Sequence, residues 1–131
     1  MNSDLFGARE RISPSDHIKQ EDIHVYKDRV VIDVPNVQWA KFTDTNSMDP
    51  FLDIEANSFE IIPQSEEQIQ VGDIISYQPE SFSGLIVHRV IEINEDKDGW
   101  YAIVKGDNLS SPDPGRVRFD QVSGILVGVI Y

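Results

Sequence analysis

Apolar residues fall along this chain in short runs with turn formers between them, and no helical period of useful length appears. The runs Ile23–Tyr26 and Arg29–Val34 flank Lys27 and Asp28, which predicts a hairpin around a tight turn. A third run, roughly Trp39 to Thr43, leads into residues 43–50, a cluster of turn formers that ends in Pro50. Further strands are predicted at Ser58–Pro63, Val71–Gln78, Gly84–Ile93, Gly99–Gly106 and Val122–Tyr131. Short β-rich runs at this spacing predict a mostly-β barrel or sandwich. Residues 1–22 are polar and patternless and read as a tail outside the core. Residues 23–131 then form a single domain.

One hairpin can be taken further. Gly84–Asn94 and Trp100–Asn108 are separated by Glu95–Gly99, a plausible loop. Pairing Asn94 with Trp100 sets His88 opposite Gly106, with Asp107 a residue or two away. Alternation puts Ile86, His88, Val90 and Glu92 on one strand face, the less apolar of the two.

Composition narrows the function classes. The 131 residues include 23 Asp plus Glu against 11 Lys plus Arg, a net charge of −12. That balance repels a polyanion and disfavours nucleic acid as a partner. With 40% apolar residues the chain can bury a core. It has no cysteine, which removes disulfides, thiol catalysis and cysteine-ligated zinc. No His and carboxylate spacing predicts a metal site, and no cofactor is expected. No stretch has the roughly 18–20 apolar residues of a membrane span. The expectation is a soluble, cytoplasmic chain.

The candidate chemistry is nucleophilic. A serine hydroxyl needs a neighbouring base before it attacks, imidazole suits that work, and a carboxylate behind the ring fixes its tautomer. Of three histidines, only His88 lies inside a convincing strand, beside the aspartate-rich turn of residues 106–114. Ser47 sits in a polar turn near Pro50, where a side chain can be exposed and held. Taken singly, Ser47 reads as a turn serine and His88 as a structural histidine. Asp107 and Asp113 are then ordinary turn aspartates.

Four segments in order change that reading. Asn46–Pro50 resembles the Ser-Met-x-Pro box of type I signal peptidases, and Val71–Tyr77 resembles their Val-Gly-Asp-Ile-Ile-x-Tyr strand. Ile86–Ile93 and Lys105–Asn108 follow in the family order, so the resemblance runs from about Thr43 to the end. It implies Ser47 as nucleophile. Bacterial signal peptidases and LexA-type repressors use a lysine base, but no lysine lies between Lys41 and Lys97. The base position holds His88, similar to the archaeal and endoplasmic-reticulum type with serine, histidine and aspartate. The same resemblance implies Asp113 as the orienting carboxylate and Asp107 as a supporting one. It also implies Thr45, or the Ser47 amide, at the oxyanion.

The resemblance departs at Glu55–Ser58, where the family's Gly-Asp is absent, and in the lack of a membrane anchor before the serine box. What it implies is a signal peptidase or LexA-like fold and a serine endopeptidase. Such an enzyme cleaves an extended peptide or preprotein with small residues before the cut, with a membrane-associated partner as an option. Two other readings use the same fold. One is a LexA-type self-cleaving regulator, disfavoured by the missing lysine and by the lack of an Ala-Gly bond. The other is a catalytically silent protein-binding module.

Overall fold

A computed structural model describes residues 5–131 of the chain. The hairpin is present, with β1 (Ile23–Val25) antiparallel to β2 (Val30–Ile32) and Tyr26 N–H bonded to Arg29 O across Lys27 and Asp28. It forms a two-stranded sheet of its own. The remaining strands are β3 (Val37–Lys41), β4 (Asn57–Ile61), β5 (Ile74–Tyr77), β6 (Ile86–Asp96), β7 (Gly99–Lys105), β8 (Val117–Arg118) and β9 (Val122–Ile130). They make one curled, antiparallel sheet in the order β3-β4-β9-β5-β6-β7-β8. The protein is mostly β, and every long strand was signalled by a β-branched or aromatic run. The two-residue β8 was not. It is too short to show a period.

Curling of the sheet buries two apolar clusters. The larger gathers Ile61, Ile69, Ile75, Tyr77, Val90, Ala102, Val104, Val117 and Ile125. The smaller gathers Met48, Leu52, Ala56, Ile74 and Leu126. Met48 is 4% exposed and Leu52 3%. Each buried side chain of this kind is worth about 2 kcal/mol, so the loop after β3 is held by its own hydrophobic anchors.

The β6–β7 register differs from the simple hairpin. Asn94 pairs with Tyr101, not Trp100, and a bulge between Val90 and Glu92 then shifts the ladder, so that Arg89 pairs with Lys105. A bulge sets two residues against one. The shift brings His88 level with Gly106 after all. The face that carries His88 is also the buried one here, since Val90 is 0% and His88 6% exposed.

Residues 13–17 do more than trail. Ser15 N–H and Oγ–H both bond Asp73 Oδ1, at 2.8 and 2.9 Å, and His17 Nε2 lies 3.0 Å from Asp73 Oδ2. Asp73 is fully buried and also accepts from Gln70 N–H. A side chain on Gly72 would meet the Ser13 carbonyl oxygen at 2.2 Å, so glycine there lets the segment lie against the body.

Candidate active site

Ser47 is presented by the loop between β3 and β4. Asn46 takes a left-handed φ of 62°, a conformation asparagine tolerates better than most residues. Met48 is buried just after, and Asn108 clips the loop from the other side. Its N–H bonds Ser47 O at 2.9 Å and its Nδ2–H bonds Asn46 O at 3.0 Å. The serine is thus fixed on both sides.

The imidazole of His88 comes from β6. Its Nε2 lies 3.0 Å from Ser47 Oγ, and its Nδ1 lies 2.7 Å from Asp113 Oδ2. Asp113 reaches the ring because the turn after β7 folds back, bonding Leu109 N–H to Gly106 O and Asp113 N–H to Val104 O. A side chain on Gly106 would meet Ser47 O at 2.7 Å and His88 Nε2 at 3.0 Å. Glycine therefore lets loop and ring approach.

Burial pushes the Asp113 carboxyl up, but hydrogen bonds from His88 and Tyr77 outweigh it, and the net shift is downward. An ionised Asp113 accepts only, so Nδ1 carries the proton and Nε2 is left to accept from the Ser47 hydroxyl. Tyr77, at the end of β5, donates its hydroxyl to the same Asp113 oxygen at 2.5 Å. Burial, the bond to Asp113 and its charge all raise the phenol's pKa, so it stays protonated as a donor. The sequence held this tyrosine in plain view within Val71–Tyr77, yet nothing in the pattern marked it as more than a core residue.

The other two candidates sit differently. Asp107 makes no hydrogen bond to His88. Both its oxygens are taken by Arg89, whose Nε and Nη2 donate at 2.8 Å each. The cause is strand alternation, since Arg89 follows His88 and leaves by the other face. Asp107 is a brace between β6 and the turn rather than a partner of the ring. Thr45 is exposed, with Oγ1 at 3.1 Å from Ser47 Oγ and 3.5 Å from Ser47 N. It stands beside the hydroxyl, where it can donate to a nearby oxygen.

Ser47, Thr45 and His88 open into a cleft of about 520 Å³. Its walls include Phe42, Met48, Leu52 and Ile86, with Glu60 and Ser76 among its lining. Ala40 and Lys41 of β3, an edge strand of the large sheet, lie along it as well. No family model, curated protein or solved structure matches this chain. Among the described residues, no group of three or more His, Asp and Glu side chains is set to hold a metal ion. No helix among them is long and apolar enough to cross a membrane.

Proposed function

We propose that the chain is a serine endopeptidase that works through an acyl-enzyme. The observation that carries this reading is the pair of bonds made by one imidazole, to Ser47 Oγ at 3.0 Å and to Asp113 at 2.7 Å. In this mechanism His88 Nε2 takes the Ser47 proton as Oγ attacks the scissile carbonyl carbon. The resulting imidazolium is stabilised by Asp113 and then hands its proton to the leaving amine. Water, deprotonated in turn by His88, attacks the ester and frees Ser47. Thr45 Oγ1 is the nearby donor suited to the negative oxygen of the tetrahedral intermediate. The edge of β3 gives an extended peptide backbone groups to pair with, beside the cleft. Resemblance to the serine, histidine and aspartate type of signal peptidase adds to this reading. A cytoplasmic location is part of the proposal.

Treatment with a small fluorophosphonate tests it. The intact chain should gain one covalent adduct, and Ser47→Ala should gain none. Equal labelling of both proteins would end the assignment.

A further inference from the structure

The cleft contains an acid that the proposed mechanism does not use. Glu60, on β4, is 1% exposed and lines the cleft with Ser76. Its Oε1 accepts from Ser76 Oγ at 2.9 Å and from Gln38 Nε2 at 3.1 Å. Its Oε2 is buried and has no hydrogen-bond partner. Leaving such an oxygen unpaired costs stability, and an apolar residue in its place would avoid that cost.

The niche is built around the carboxyl. Gly124 of β9 faces it, and a Cβ there would meet Glu60 Oε1 at 2.4 Å and Gln38 Nε2 at 2.8 Å. One strand therefore gives up its side chain to seat the acid. The cleft that holds both Glu60 and Ser47 is also lined by Phe42, Met48, Leu52 and Ile86, apolar groups fit to hold methylenes. Lys41 and His88 are the other ionisable side chains lining the cleft. His88 is engaged by Ser47 and Asp113, and Lys41 is exposed and forms no ion pair with Glu60.

Building on the peptidase reading, we propose that Glu60 is a specificity residue that receives the amino group of a substrate lysine, on the residue before the bond that Ser47 attacks. The lysine methylenes lie along the apolar walls, and the ammonium supplies the donor that Oε2 lacks. A side chain without that donor leaves Oε2 unpaired, and this difference generates selectivity. The net charge of −12 draws cationic peptides toward the chain. Lysine replaces the small residue that the signal peptidase resemblance implies at this position.

Peptidyl diphenyl phosphonates that differ only in the side chain nearest phosphorus provide the test: lysine, norleucine, glutamine or alanine. A small fluorophosphonate without any side chain is run alongside. The lysine probe should inactivate the wild-type protein at least tenfold faster than the other three, and in Glu60→Gln that advantage should fall below threefold. Lysine and norleucine rates within threefold of each other in the wild type overturn the inference, as does a lysine preference that survives in Glu60→Gln. The wild-type comparison is decisive by itself should the variant not fold. Failure of the small fluorophosphonate to label Ser47 removes the peptidase reading and this inference together. Labelling without a lysine preference removes the inference alone.

Discussion

The phenol of Tyr77 donates a 2.5 Å hydrogen bond to Oδ2 of Asp113. The same oxygen receives His88 Nδ1 at 2.7 Å. Two donors on one carboxylate oxygen fix its orientation and hold it ionised, and Tyr77 itself is 3% exposed and packed in the core. The base is therefore aligned by a core residue that acts through Asp113.

Removing that phenol hydroxyl has a defined consequence. Tyr77→Phe keeps the ring in the core and deletes one donor to a charged acceptor, so stability should drop by about 1–2 kcal/mol. Asp113 should then titrate higher, and turnover of a peptide ester should fall by several-fold. Thermal unfolding and a pH profile of kcat/KM check both effects. An unchanged profile would mean that the hydroxyl serves packing only.

The two aspartates should separate cleanly. Asp113→Asn retains the shape and loses the acceptor that sets the imidazole tautomer, so kcat should fall by about 10³–10⁴. Asp107→Asn disturbs the Arg89 brace and should cost no more than a few-fold. Steady-state kinetics on the two variants settles the order, and the reverse order would reassign the orienting group to Asp107.

Acid should switch the activity off through one ionisation. Asp113 lies below the ordinary carboxylate range, so it stays charged at mildly acid pH. A protonated His88 imidazole has no lone pair at Nε2 to take the Ser47 proton. Acylation should therefore slow as the medium is made acid. A rate indifferent to acid would exclude a histidine base.

Glu60 should make stability fall as pH rises. Burial lifts its pKa above the ordinary value, against the smaller downward pull of its bonds from Ser76 and Gln38. A raised carboxyl binds its proton more tightly when folded than when unfolded. Its contribution is thus complete below the unfolded pKa and is lost as pH climbs through the folded one. Glu60→Gln cannot ionise, so its Tm relative to wild type should increase from pH 4 to pH 8. A constant difference across that range would show that Glu60 is not titrating.

Much of this was legible in the chain. Runs such as Ile74–Tyr77 and Gly99–Lys105 carry enough β-branched and aromatic residues to mark themselves as strands. Ser47, His88 and Asp113 were marked by the resemblance to the signal peptidase motifs, since each alone reads as an ordinary turn or strand residue, and the structure brings these three together. Pairing Asn94 with Trp100 is one residue out, yet His88 still falls opposite Gly106, because the bulge at Val90–Glu92 shifts the ladder back by one. A bulge depends on backbone dihedrals and leaves no mark on the apolar pattern. Glu60 was missed because Phe59, Glu60 and Ile61 alternate as a half-exposed strand would, whereas the curled sheet buries the polar position too. The contacts of Ser15 and His17 with Asp73 were missed because polar side chains that bond one buried carboxylate have no periodicity to read.

Gly106 leaves little clearance between Ser47 and His88. Its φ lies outside the left-handed region, so the backbone would accept alanine, and only the neighbours object: Ser47 O at 2.7 Å, the Leu109 Cδ1 methyl at 2.9 Å and His88 Nε2 at 3.0 Å. One methyl group wedged there would pry nucleophile and base apart while every reactive atom stayed in the molecule. Position 106 is thus a place to build an inert twin of the protein, chemically complete and mute, in which substrate capture can be watched without turnover.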